Sequence, residues 1–116
     1  MDISCTIPQT QTFTWVEEFF DGTRTKDEDF PFGTRIKDVQ KGDFLYLIYR
    51  GQIRGRLQIT SVENAQRTVP VGSEGKPVDS KTIIWVRCPG EAVGGRVILR
   101  ESHRGFRYAN VPEWTS

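Results

Sequence analysis

Residues 43–60 constrain this chain more than any other stretch. From Asp43 to Arg50 the pattern is apolar on both sides of an extended strand. Phe44, Tyr46 and Ile48 fall on one face, and Leu45, Leu47 and Tyr49 on the other. Such a run predicts a central strand covered on both faces. Gly51 turns the chain, and Ile53 to Thr60 then alternates. Ile53, Leu57 and Ile59 are expected to point inward, and Arg54, Arg56 and Gln58 outward. Gly55 lies on the inward side and marks a bend in a curving sheet. The two segments read as a long hairpin. Covering one of its strands on both faces requires a layer of structure on either side.

The remaining segments supply candidates for those layers. Ile3 to Ile7 alternates and reads as a first strand, closed by Pro8, which has no N–H for a ladder. Trp15 to Phe20 reads as a short helix, with Thr14 as N-cap, Glu17 completing a capping box and Gly22 as the stop. Residues 23–42 read as a long polar loop, pinned to the core by Phe30 and Phe32 around Pro31. Gly72 to Pro77 reads as a second loop. Thr82 to Cys88 is a third strong strand, Arg96 to Arg100 a fourth and Phe106 to Tyr108 a fifth. Trp114 is expected to pack back on the body. Several short strands with one or two short helices predict an α+β fold, a mostly antiparallel, partly open β-barrel. At 116 residues the chain is expected to form one domain, residues 1–116.

Composition narrows the class. No apolar run approaches the roughly 20 residues of a membrane-spanning helix. The start Met1-Asp2-Ile3-Ser4 has no basic region of a signal peptide, so a cytoplasmic protein without a membrane partner is expected. Cys5 and Cys88 are too few for a zinc site of about four ligands and are expected to be buried, reduced thiols. Net charge is only +1, but it is unevenly spread. Residues 1–34 hold seven acids and two bases, net −5, and the remainder eight acids and 14 bases, net +6. That asymmetry predicts a two-signed surface, part of which can meet phosphate.

No catalytic constellation emerges from the sequence. His103 is the only histidine, and its neighbour Ser102 points to the opposite side of an extended chain. Gly94-Gly95 has neither the spacing nor the lysine of a phosphate-binding loop. Asp27-Glu28-Asp29 reads as a solvated acidic cluster, so neither a metal nor a cofactor is expected. Trp85, among Ile83, Ile84 and Val86, reads as core.

The basic and aromatic residues point to nucleic acid instead. Ser102 to Tyr108 sets Arg104 and Arg107 beside Phe106 and Tyr108 around Gly105. Guanidinium groups neutralise phosphates, and aromatic faces stack on bases. Arg54 and Arg56, read as sharing a strand face, are spaced at roughly 7 Å by strand rise, close to successive phosphates on one strand. Arg54, Arg56, Arg104 and Arg107 are therefore expected to contact phosphate, and Trp15, Phe106 and Tyr108 to stack.

Three of these motifs, in order, resemble the PUA-like superfamily of small barrels in its ASCH and EVE branches. They are Asp21-Gly22-Thr23-Arg24-Thr25 after a short helix, Lys41-Gly42-Asp43 with Ile53-Arg54-Gly55-Arg56-Leu57 in the hairpin, and Gly105-Phe106-Arg107-Tyr108. Together they span about residues 15–108. The resemblance implies a barrel with a ligand groove between helix and strands, lined here by Arg24 and Thr25, that binds RNA or modified bases. The ASCH pattern continues with a glutamate and an arginine where this chain has Asp27 and Asp29, so the amidohydrolase constellation of that branch does not carry over. The expected function is non-catalytic binding of RNA, single-stranded DNA or a modified nucleotide. Two alternatives stand beside it. One is a small amidohydrolase on a nucleoside-like substrate, with Asp27 or Glu28 as base. The other is a protein-interaction accessory protein of a mobile element.

Overall fold

The computed structural model describes residues 1–64, 67–71 and 76–115. Nine strands run through it: β1 (Asp2–Thr6), β2 (Glu28–Phe32), β3 (Phe44–Tyr49), β4 (Gln52–Glu63), β5 (Arg67–Val71), β6 (Lys76–Ser80), β7 (Thr82–Val86), β8 (Glu91–Ala92) and β9 (Phe106–Ala109). One short helix, α1 (Phe13–Glu17), and a 3-10 turn at Pro112–Trp114 accompany them among the described residues. Six strands lie side by side in the order β2-β7-β4-β3-β1-β9, β8 adds to β4, and β5 and β6 form a separate ribbon. Every pairing is antiparallel except β1 with β3. The result is a sheet-rich domain of mostly antiparallel strands with one short helix, and its main sheet is open, with β2 and β9 as edges.

The doubly apolar strand is central, as its pattern predicts. Leu45, Leu47 and Tyr49 of β3 enter a cluster with Ile3, Cys5 and Leu57, onto which α1 packs Val16 and Phe19. Tyr46 and Ile48 enter a second cluster on the other face with Ile53, Ile98, Val111 and Trp114. Trp114 returns to the body as expected, its ring edge-on to Tyr46 at 5.7 Å. Cys5 and Cys88 are both buried and unpaired.

The hairpin departs from simple alternation at one point. Leu47 pairs with Gly55, but Ile48 pairs with Ile53, so Arg54 is an extra residue in β4. This β-bulge switches faces: Leu57 and Ile59 join the first cluster while Ile53 joins the second. Ile53, expected to face inward with them, faces the other way. Arg54 and Arg56 consequently do not share a face.

Four further expectations change. The helix starts earlier than its aromatic spacing suggests, because the Thr12 hydroxyl, not that of Thr14, accepts the Trp15 amide at 3.1 Å. The capping box with Glu17 is therefore not formed. The stretch read as a loop at residues 23–42 contains β2, which holds Pro31. An edge strand accommodates proline because only its alternate N–H groups face a neighbour. Arg96 to Arg100 is not a strand. It follows β4 through the Ile53 amide to the Ile98 carbonyl, the Arg100 amide to the Gly51 carbonyl and a single bridge at Leu99. Ile98 alone is buried there, while Val97 and Leu99 are exposed. Of the loop expected at Gly72 to Pro77, positions 72–75 lie outside the described residues, and Lys76 and Pro77 belong to β6.

Gly55 is needed for close packing. A Cβ built there would lie 2.4 Å from the ring of Phe20 and 2.6 Å from the Glu91 carbonyl. Only glycine lets the segment after α1 and the start of β8 approach β4 so closely.

Candidate nucleic-acid interface

The nine residues singled out in the sequence fall in three places. Trp15, Arg24 and Thr25 lie at the helix. The Arg24 guanidinium sits 4.4 Å over the Phe19 ring and 5.4 Å from Trp15, and it pairs with Glu28 at 3.3 Å and Glu18 at 3.7 Å. Arg24 and Thr25 do line one shallow depression of about 360 Å³, but Glu18 and Glu28 line it too. A phosphate entering there would meet both carboxylates. Asp27 accepts the Thr60 hydroxyl at 3.0 Å, so Asp27 and Glu28, the candidate bases, are both engaged.

Arg54 and Arg56 are held on opposite sides of β4. Arg54 donates Nε to the Tyr49 carbonyl at 3.0 Å and lies over the rings of Phe13 and Tyr49. Arg56 is sandwiched between Phe44 at 3.9 Å and Trp114 at 4.9 Å and pairs with Glu91 at 3.2 Å. Its guanidinium closes the second cluster and is no free phosphate contact. Trp85 is half-buried, with its indole N–H donating to Glu63 at 3.2 Å.

The third group, on and before β9, is differently placed. Gly105 adopts φ +63°, a left-handed turn that suits glycine, and leads the chain into the edge strand. Register sets Phe106 opposite Cys5, Arg107 opposite Ser4 and Tyr108 opposite Ile3. Phe106 and Tyr108 thus lie on the face of the first cluster, their rings edge-to-face at 5.4 Å. Arg107 lies on the other face. Tyr108 is 44% exposed, yet its hydroxyl donates to the Lys37 carbonyl at 2.7 Å, which makes it a fixed aromatic platform. Arg104 and Arg107 are exposed, and among the described residues neither has an ion-pair or hydrogen-bond partner for its guanidinium. By contrast, Arg24, Arg56 and Arg100 all pair with glutamates.

Beside Arg107 opens a cavity of about 380 Å³. Its wall carries a pair that sequence reading missed: Ser4 Oγ lies 3.0 Å from His103 Nε2, from a position 99 residues away. His103 is held by its own amide, which donates to Thr6 Oγ1 at 3.0 Å, and by Nδ1, 3.3 Å from the Arg104 carbonyl. A carbonyl oxygen only accepts, so that contact takes a hydrogen on Nδ1, and in the Nδ1–H tautomer Nε2 accepts the Ser4 hydroxyl. One signal for Ser4 was present: a serine and a threonine alternate with Ile3, Cys5 and Ile7 on a strand, where any inward-facing polar group needs a partner. The thiols offer no chemistry, since burial pushes Cys5 up to about 12 and Cys88 up to about 11.

Among the described residues no cluster of three or more histidine, cysteine or acidic side chains is arranged to hold a metal. No helix among them is long and apolar enough to cross a membrane. Compared with known proteins, the chain matches no family model, no curated protein and no solved structure.

Proposed function

We propose that this protein is a non-catalytic, PUA-like module of the cytoplasm that binds RNA, single-stranded DNA or a modified nucleotide through the edge formed by β9. One observation carries the reading. Arg104 and Arg107, two exposed guanidiniums without partners among the described residues, lie just before and on the edge strand that also carries a tyrosine ring, exposed yet anchored. Cations that track a backbone beside a fixed aromatic face are the recurring solution for single strands. The PUA-like reading draws support from a curled, mostly antiparallel sheet with a short helix packed on its inner face.

The test is fluorescence anisotropy with labelled single-stranded RNA, single-stranded DNA and duplex, at low and moderate salt. Binding should favour a single strand and weaken with salt. The double replacement Arg104→Ala, Arg107→Ala should flatten the slope of log K against log salt by about 0.7 for each phosphate that is no longer neutralised. Absence of binding to all three at low salt overturns the reading. The free edge of β9 also suits pairing with a strand from another chain. Concentration-dependent dimerisation abolished by a proline at Arg107 would favour that protein-docking alternative.

A further inference from the structure

We propose that the cavity bounded by Ser4, His103 and Arg107 is a subsite for a phosphate monoester, the terminal phosphate of a nucleotide or of a single strand. The proposal deepens the nucleic-acid reading and rests on it for the ligand class. Three polar side chains of different kinds line it: the Ser4 hydroxyl, the His103 imidazole and the Arg107 guanidinium. The first two are preset by hydrogen bonds to each other, to the Thr6 hydroxyl and to the Arg104 carbonyl. The guanidinium of Arg107 makes no ion pair among the described residues.

The serine–histidine pair fixes one wall of the cavity. Nδ1 faces the Arg104 carbonyl and Nε2 faces the Ser4 hydroxyl, whose single hydrogen can turn from Nε2 to a ligand oxygen.

The rest of the lining limits how an anion can sit. Glu101 also lines the cavity, and its carboxylate repels a phosphate, so Arg107 has to outweigh it. Arg100 lines it as well, but its guanidinium is bound by Glu113 at 2.7 and 3.0 Å, which leaves Arg107 to hold the charge. The apolar wall of Ile48, Ile53 and Val111 leaves room for the sugar carrying the phosphate.

The experiment compares one short single-stranded RNA bearing a 5′-phosphate, a 3′-phosphate or neither, by anisotropy, and adds adenosine monophosphate and inorganic phosphate followed at the His103 ring resonances by NMR. The wild-type protein should bind one phosphorylated end about tenfold more tightly than the unphosphorylated strand, the scale of one added charge-assisted contact. His103→Gln and the exposed Arg107→Gln should each erase that preference, with melting curves confirming that both fold. Equal affinity for all three strands overturns the subsite and leaves the single-strand reading standing. If no strand binds but adenosine monophosphate or phosphate shifts His103 saturably, the subsite holds and the polymer reading falls. If neither strands nor phosphates have any effect, both fall.

Discussion

The ring of Phe32, at the end of β2, meets the ring of Phe106, at the start of β9, edge to face with 6.3 Å between centroids. These residues belong to the two edges of an open sheet. The sheet curls until its edges touch through side chains instead of backbone hydrogen bonds, and β9, with its arginines and tyrosine, is thereby held against the first cluster. Edge-to-face pairs contribute about 0.5–1.5 kcal/mol beyond the area they bury.

Phe32→Ala should cost about 3–4 kcal/mol, because the ring is buried. Phe106→Ala should cost less, since that ring is only half-buried. The double mutant should lose less than the sum by about 1 kcal/mol in urea denaturation. Strict additivity would mean that the two edges are not coupled.

Gly55→Ala should destabilise by about 1–3 kcal/mol through overpacking against the Phe20 ring. Shortening the opposing side chain separates the two obstacles there. In the Phe20→Ala background the same alanine should cost measurably less, and any remaining cost reports on the Glu91 carbonyl, which cannot withdraw as a ring can. An unchanged cost would assign the whole effect to the backbone.

Arg56 is a test of packing against charge. Its partner Glu91 is 57% exposed, so their ion pair contributes at most about 1 kcal/mol. The alkyl stem and guanidinium pack between Phe44 and Trp114. Arg56→Ala should therefore destabilise more than Glu91→Gln and alter the near-ultraviolet dichroism of Trp114. It should leave the salt slope of nucleic-acid binding unchanged, unlike replacement of Arg107. A flattened slope in Arg56→Ala, with stability retained, would return Arg56 to the interface.

The Arg100–Glu113 contact predicts an acid-sensitive C-terminal segment. Hydrogen bonding from Arg100 brings the Glu113 carboxyl from 4.5 down to about 2. A carboxyl depressed in the folded state adds stability at any pH above its unfolded value and loses it as pH falls through the folded one. The melting temperature should therefore fall more steeply for the wild type than for Glu113→Gln between pH 4.5 and pH 2. Parallel curves would show that the contact is not formed in solution.

Much of this architecture was legible in the chain. The two-sided apolar run of Phe44 to Tyr49 marks a central strand whatever surrounds it, because a period of two with no polar face leaves no side for water. Burial of both cysteines, the return of Trp114 and the β9 strand followed from local pattern in the same way. The grouping of the arginines did not. Arg54 and Arg56 share a face in any regular strand, and only the extra residue in the ladder against β3 sends them to opposite sides. Pro31 looked like a loop residue, because nothing local says that its strand is an edge. Ser4 and His103 are 99 residues apart, and their hydrogen bond exists because β9 pairs with β1 in one register. Local periodicity follows from backbone geometry and is written in neighbouring residues. Strand order, bulges and edge contacts depend on which distant surfaces bury together, and in this protein those decide which side chains are free to meet a ligand.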